Sequence, residues 1–268
     1  MFSANPYFVL RPHSLITIKV GYIFEDVWYK EEEGIDRRHN IGHVNSVYEV
    51  SPMLKLNADY KYTNADTDLV DYDKHDIGFG PRYEYAEESF IFFTVGNSWL
   101  DLKGVDNSSR IFWDAGVTHR FPSYSVSLVS ALDYLEDPTG DLTRVNSYVL
   151  SLDKTAERAT LGTSVSFREF RDYINDNIDA RSYGISGNIT YEITPKMTGR
   201  FDFAVEKIEN EIENTYTLRY LPTLEIEYML LEDLTFNFKY HYIDSDSPGI
   251  EADNYKNNRA IIEATKSF

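Results

Sequence analysis

The sequence predicts an all-β chain: a transmembrane antiparallel up-and-down β-barrel of about 16 strands. Three observations predict it. Apolar and polar side chains alternate with period 2 along most of the chain. The alternating stretches are long, mostly about ten to fifteen residues, against a usual strand length of about five or six. Tight turns alternate with longer, mostly acidic connections. No stretch repeats its apolar residues with period 3.6, so almost no helix is expected.

The alternation is plainest in LTFNFKYHY, where Leu234, Phe236, Phe238, Tyr240 and Tyr242 share one face and Thr235, Asn237, Lys239 and His241 the other. Leu54, Leu56, Ala58, Tyr60 and Tyr62 repeat it, as do Ile77, Phe79, Pro81, Tyr83 and Tyr85. So do Tyr183, Ile185, Gly187, Ile189, Tyr191 and Ile193, and Leu218, Tyr220, Pro222, Leu224, Ile226 and Tyr228. Successive strand side chains point to opposite faces, so each stretch is a strand with one greasy and one wet face. Strands are expected near 4–11, 15–29, 38–50, 54–64, 74–86, 89–102, 110–121, 124–136, 144–154, 158–171, 180–193, 197–210, 215–228, 233–244 and 256–268.

The tight connections are Arg11–Ser14, Ser51–Met53, Ala86–Glu88, Phe121–Ser123, Thr155–Glu157, Thr194–Lys196 and Met229–Glu232. The other set is Lys30–Arg37, Ala65–Asp73, Lys103–Ser109, Asp137–Thr143, Asp172–Asp179 and Ser245–Tyr255, with a shorter member at Glu211–Asn214. The chain is therefore a repeated hairpin, with no domain boundary or linker: residues 1–268 form a single outer-membrane β-barrel domain. The first and last strands run the same way, whereas antiparallel closure needs an even number. No leader peptide is visible at Met1-Phe-Ser-Ala-Asn5. Both observations lead to the expectation that residues upstream of Met1 supply at least one more strand.

Long strands with an apolar alternate face fit a tilted crossing of the hydrocarbon layer, and short turns opposite long loops are the outer-membrane arrangement. A soluble sandwich also alternates but uses shorter strands, and a solenoid would repeat at a shorter period. Two aromatic girdles are expected at the membrane interfaces. Trp28, Trp99, Trp113, Tyr62 and Tyr242 form the one near the long loops; Tyr48, Tyr85, Tyr191, Tyr228 and Phe268 form the one near the tight turns. Pro81 and Pro222 fall inside strands, where proline removes a ladder hydrogen bond, so local bulges are expected there.

Composition bounds the chemistry. The 268 residues carry a formal net charge of −18, with 21 Tyr, 16 Phe and no Cys; mean hydropathy is −0.42. No apolar run approaches the length of a transmembrane helix; the most apolar is near Phe90–Val95. Without cysteine there is no disulfide, CxxCH haem attachment or cysteine zinc site. The acidic balance argues against nucleic acid, whose phosphates need Lys and Arg.

The period-2 rule turns Lys19, Lys55, Lys61, Arg82, Arg120, Arg168, Arg200, Arg219, Lys239, His241 and Arg259 inward. Inward acids are Glu25, Glu49, Asp59, Asp76, Glu84, Asp114, Asp133, Asp153, Glu192, Asp202, Glu206, Glu225, Glu227 and Glu263. The two sets nearly balance, which leaves most of the net charge to loops and turns. Mixed charges along a water-filled pore pass polar solutes with a mild cation preference; equally, such charges pair across strands and brace the wall. Asp66, Asp68, Asp71, Asp73 and Asp76 have the spacing of oxygen ligands but lack the glycine and final glutamate of a calcium loop. They read as a solvated acidic loop, as does Glu31-Glu-Glu33. His39 and His43 stand about 13 Å apart on a strand, too far for one metal. Gly78-Phe-Gly80 lies mid-strand, where glycines ease curvature or close packing. Neither H-E-x-x-H nor G-x-S-x-G occurs. The chain is expected to be no enzyme and to hold neither metal nor cofactor.

Several pieces resemble a β-barrel porin family found beside exopolysaccharide and exosortase (PEP-CTERM) loci of Gram-negative bacteria. In the C-terminal third they are Arg219-Tyr-Leu221, Leu231-Glu-Asp-Leu234, Tyr242-Ile-Asp-Ser-Asp-Ser-Pro248, Asp253-Asn-Tyr-Lys-Asn-Asn-Arg259 and the terminal Phe268. Earlier pieces are Asn5-Pro-Tyr7, Leu10-Arg-Pro12, Tyr72-Asp-Lys-His-Asp76 and Phe112-Trp-Asp-Ala-Gly-Val-Thr-His-Arg-Phe121. The resemblance covers nearly the whole chain. It implies a bacterial outer-membrane barrel in contact with lipid and lipopolysaccharide, serving polysaccharide export, and it supplies no catalytic residues.

Three functions follow as expectations. The first is a channel or secretion pore for polysaccharide or polar solutes. The second is a scaffold that sheathes a partner, such as a periplasmic export protein or a multihaem cytochrome conduit. The third is a barrel lipase or protease assembled across strands.

Overall fold

Among the described residues seventeen strands follow one another along the chain and no helix occurs. The computed structural model describes residues 2–28, 36–67, 71–102, 108–136, 142–172, 175–231, 233–248 and 254–266. The strands are β1 (Phe2–Ala4), β2 (Tyr7–His13), β3 (Ile16–Val27), β4 (Arg37–Ser51), β5 (Leu54–Thr67), β6 (Tyr72–Ala86), β7 (Ser89–Leu102), β8 (Ser108–Arg120) and β9 (Tyr124–Glu136). Then come β10 (Leu142–Thr155), β11 (Ala159–Asp172), β12 (Ile178–Thr194), β13 (Met197–Asn210), β14 (Thr215–Tyr220), β15 (Thr223–Leu231), β16 (Leu234–Asp246) and β17 (Tyr255–Lys266). They form one antiparallel sheet in which sequence neighbours pair. The expected long strands are present, and two of them are each split into a pair of segments, β1 with β2 and β14 with β15.

Proline causes both splits, and the result differs from the expected bulges. Val205 to Asn210 pair with β14 and Met197 to Asp202 with β15 in one unbroken register. Across Leu221 and Pro222 the ladder loses only what proline cannot make: Leu221 N–H still donates to Ala204 O at 2.9 Å, and Pro222 O accepts from Tyr242 N–H at 3.0 Å. Pro6 acts alike between β1 and β2, its carbonyl accepting from Tyr22 N–H at 3.0 Å. At Pro81 the β6–β7 pairing skips from Phe79–Val95 to Arg82–Phe92 without a slip. A proline removes a donor without adding a residue, so a rung is lost and the register survives.

Five slips lie at tight turns instead, and a further one, between Phe170 and Arg171, lies at the end of β11 beside a long connection. Register shifts by one between Leu10 and His13, Glu49 and Ser51, Glu84 and Ala86, Glu192 and Thr194, and Met229 and Leu231. Each inserts residues into the strand entering a turn, the geometry of a β-bulge. Three of these sites share a pattern: Tyr48-Glu-Val-Ser51, Tyr83-Glu-Tyr-Ala86 and Tyr191-Glu-Ile-Thr194. The glutamate N–H then reaches a neighbouring turn: Glu49 donates to Leu15 O, Glu84 to Met53 O and Glu192 to Arg158 O, at 2.7 to 2.8 Å. Each turn is thereby tied to the next strand.

The chain divides into two compact units. Unit 1 is Met1–Val117, Val129–Asn146 and Asp172–Asn175; unit 2 is Thr118–Leu128, Ser147–Arg171 and Asp176–Phe268. In both, large apolar side chains stand exposed on one face of the sheet. Tyr60, Ile77, Phe79, Ile91, Phe93 and Val95 do so in unit 1; Val165, Ile185, Phe201, Phe203, Leu224, Phe236 and Phe238 do so in unit 2. Exposed patches of this kind mark a surface built to be covered. Among the described residues the buried apolar ones are Ile41, Ala65, Tyr72, Leu100, Leu132, Tyr134 and Val145, all in unit 1.

Glycines set the thickness of the opposite face. Asp59, Gly78 and Gly96 lie side by side on β5, β6 and β7, and the Phe112 ring covers both glycines. A methyl on Gly96 would lie 2.2 Å from Phe112 Cζ and 2.4 Å from Ile77 O; on Gly78 it would lie 3.3 Å from the same Cζ. The close packing expected at Gly78 is thus made with a ring from β8. Gly96→Val should cost about 1–3 kcal/mol by overpacking. Gly42→Ala, with nothing within 4 Å of the added carbon, should leave stability unchanged or slightly raised. Denaturant titration of the two folded variants beside the parent checks the difference.

Candidate functional site

The face opposite the exposed apolar residues carries the polar side chains, and register arranges them in rows. In unit 2, Gly162, Asn188, Asp202, Thr223, His241 and Arg259 lie side by side across β11 to β17. The next row toward the tight turns is Thr160, Thr190, Arg200, Glu225 and Lys239. Charges alternate along it, as cross-strand pairs favour. Arg200 Nε meets Asp202 Oδ2 at 3.0 Å, and Lys239 Nζ stands 3.8 Å from Glu225 Oε2. Asn237 donates to Glu225 at 2.6 Å, and Thr223 Oγ1 and His241 Nδ1 lie 3.0 Å apart. Above these, Ser166, Gly184, Glu206 and Arg219 form a third row, with Ser182 Oγ donating to Glu206 at 2.7 Å. Small hydroxyls separate the charges, so a hydrated solute meets donors and acceptors of both senses.

Unit 1 places Glu49, Lys55 and Arg82 in one row. Lys55 Nζ reaches Glu49 at 3.0 Å, and the Arg82 guanidinium lies 3.5 Å from the Phe90 ring centre. Lys19, Asn45, Asp59 and Gly78 form the next but one row, followed by Gly21, His43, Lys61 and Asp76. Lys19 Nζ sits 4.2 Å over the Tyr7 ring, and Asn45 donates to Asp59. Arg120 ends β8 on the tight-turn side. A cavity of about 340 Å³ lined by Asp59, Lys61, Asp76, Phe112, Asp114 and Asp133 opens on this face. Among the described residues no group of three or more His, Asp or Glu is placed to hold a metal ion.

Of the aromatic residues assigned to the interfaces, Trp28, Trp99, Tyr48, Tyr191 and Tyr228 are exposed, while Tyr62, Tyr85, Trp113 and Tyr242 are half-buried. Three of those near the long loops have polar partners. Tyr62 OH donates to Asp73 at 2.6 Å, Tyr242 OH to Asp244 at 2.9 Å and Trp113 Nε1 to Ser130 at 3.5 Å. An apolar body with a bonded tip suits a boundary between oil and water. Phe268, Asp68 and Glu31-Glu-Glu33 lie outside the described residues.

Sequence reasoning missed one group. Ile23, Ile41, Thr63, Lys74 and Leu100 form a row on the polar face of unit 1, near the long loops. Three of these five are apolar and out of phase with the exposed face. Such out-of-phase residues, recurring at one distance from the long loops, are the signal that points to them.

Known structures share this fold. A loop L8 deletion mutant of OmpT, an outer membrane protein of Vibrio cholerae, matches over 98% of this chain and 96% of its own, at 13% identity and a TM-score of 0.51. The ferric-catecholate import receptor Fiu of E. coli K12 matches over 98% of this chain and 54% of its own, at 10% identity and TM-score 0.64. The FrpB iron transporter of Neisseria meningitidis gives 98%, 54%, 9% and 0.62. The fold is that of bacterial outer-membrane β-barrels. This chain spans about half the length of the two receptors, and no family model and no curated protein matches its sequence.

The outer membrane is where the exposed apolar face fits, since its side chains then meet lipid. Phe238 stands at the centre of that face on β16, opposite Ile226 and Ile262. Phe238→Arg should destabilise the bilayer-inserted protein by about 2–4 kcal/mol, while Asn237→Arg on the polar face should cost far less. Denaturant titration in vesicles, followed by tryptophan fluorescence, separates the two; equal costs would mean the faces are misassigned.

Proposed function

We propose that residues 1–268 form a single outer-membrane barrel domain that acts as a non-enzymatic channel for polar solutes. One observation carries the reading: strands with an exposed apolar face bear, on the other face, hydroxyls interleaved with charges of both signs. Hydrophobic burial does not need such a face. Water does, and a passage for hydrated solutes supplies it. Lys19, Lys55, Lys61, Arg82, Arg120, Arg200, Asp202, Arg219, Glu225, Lys239, His241 and Arg259 are its proposed lining. Trp28, Trp99, Trp113, Tyr62, Tyr242, Tyr85, Tyr191, Tyr228 and Phe268 are its proposed interface residues.

The sequence resemblance to barrels beside exopolysaccharide and exosortase loci supports a polysaccharide as cargo. The wall suits it: hydroxyls such as Ser164, Ser166, Ser186 and Thr223 can exchange hydrogen bonds with a sugar chain, and the row of Arg200, Glu225 and Lys239 can orient it.

Purified protein in a planar bilayer should give discrete conductance steps. Arg200→Glu with Lys239→Glu should shift the reversal potential in a salt gradient toward cations, because two positive charges leave the wall. A soluble oligosaccharide should reduce the current of the parent. A bilayer that stays silent with folded protein would sink the channel reading and favour a scaffold that sheathes a partner.

A further inference from the structure

A wall that carries water has no need of a core, yet unit 1 has one on its polar face. Ala65, Tyr72, Leu100 and Tyr134 form a buried cluster with Phe112 packed against it. Ala65 is 1% exposed and Leu100 2%. Within the same region a lysine is buried. Lys74, with 9% of its side chain exposed, meets Asp76 Oδ2 at 3.3 Å and donates to Tyr134 O at 3.0 Å. Burying an ammonium is costly unless it is paired and hydrogen-bonded, so these two contacts are what allow Lys74 to stay dry. One is local, two residues along β6. The other reaches β9, sixty positions away in the chain. Tyr134 is braced again by its hydroxyl, which donates to Ile111 O at 3.1 Å. Just turnward of this layer lies the acidic cavity of about 340 Å³. Wet and dry therefore meet within one row of side chains.

We propose that this layer is a dry gate closing the long-loop end of the polar face in unit 1, with Lys74 as the latch that holds the end of β9 over it. The proposal rests on the channel reading. An apolar constriction excludes water, and with it ions, without sealing the wall sterically. The latch explains why one buried cation sits among apolar neighbours: it ties Tyr134 to β6, and its loss leaves Asp76, one oxygen of which already has no partner, at the edge of the cavity without its cation. Such a group draws water in.

The chain has no cysteine, so single cysteines report water directly. Leu100→Cys in the dry layer and Asn57→Cys turnward on the polar face are reacted with a membrane-impermeant maleimide in the folded, vesicle-inserted protein. Leu100→Cys should label at least tenfold more slowly than Asn57→Cys. Adding Lys74→Met should bring it to within a few-fold, while Lys74→Arg should keep it slow. Leu100→Cys labelling as fast as Asn57→Cys, or staying slow with Lys74→Met, overturns the gate. If Lys74→Met loses the heat-modifiable migration of a folded barrel, Tyr134→Phe is read in its place: it removes the brace to Ile111, faster labelling is expected, and unchanged labelling overturns the proposal. Labelling needs no current, so a silent bilayer with protected Leu100→Cys tells against the channel and not against the dry layer.

Discussion

Everything in this chain answers to one constraint: a backbone that crosses oil must satisfy its own hydrogen bonds. Water cannot reach an N–H in hydrocarbon, and each unmade bond there costs several kcal/mol. The prolines show how closely the constraint is kept. Pro6, Pro81 and Pro222 withhold one donor each, yet the pairings on either side stay in register. Carbonyls beside the gaps are reused, as at Pro6 and Pro222. The residues that break register are confined to the ends of hairpins, where water is near. A slip within the span would move every following side chain to the wrong face; a slip at a turn moves only the last residue or two.

Fixed register is what gives the two faces different meanings. On the apolar face, size and greasiness suffice, and Phe, Tyr, Ile, Leu and Val are used interchangeably. On the polar face, neighbours must complement each other in volume and charge. Gly78 and Gly96 make room for Phe112, and Gly21 makes room for His43, whose ring atoms would lie 2.3 Å from an added carbon. Gly162 likewise faces the Asn188 amide, 2.2 Å from an added carbon. Large and small alternate across strands, so the wall is flat where it is hydrated and built up where a ring or a leucine intrudes.

This difference decides what was legible in the sequence. Strand positions and the facing of side chains were, because both depend only on period 2, which Leu234 to Tyr242 displays without interruption. The dry layer was not. Ile23, Ile41 and Leu100 sit at positions that the alternation assigns to water, and nothing within β3, β4 or β7 alone says that the three share a row. Only pairing through Thr63 and Lys74 brings them together. The prolines misled for a related reason. A rung lost and a residue inserted look alike in one strand and differ only against the partner's register. The Tyr-Glu pattern before the turns was visible in the letters, but its consequence, a bulge tied to the next hairpin, also needs two strands.

Charge obeys the same logic at shorter range. Lys74 pairs with Asp76, Glu169 with Arg171, Arg200 with Asp202 and Lys207 with Glu209, each two residues apart on one face of one strand. A lysine or arginine stem spans that distance easily, so such pairs form in any straight strand and can be read from sequence. Their weight cannot. Exposed pairs are screened by water and contribute little. Lys74 and Asp76 have side chains only 9% and 15% exposed, where removing one partner leaves the other poorly solvated and costs more than the pair itself supplies. Pairs of one pattern thus divide by surroundings alone: Arg200–Asp202 and Lys207–Glu209 dress a surface, Glu169–Arg171 is half-buried, and Lys74–Asp76 is committed to holding its neighbours in place.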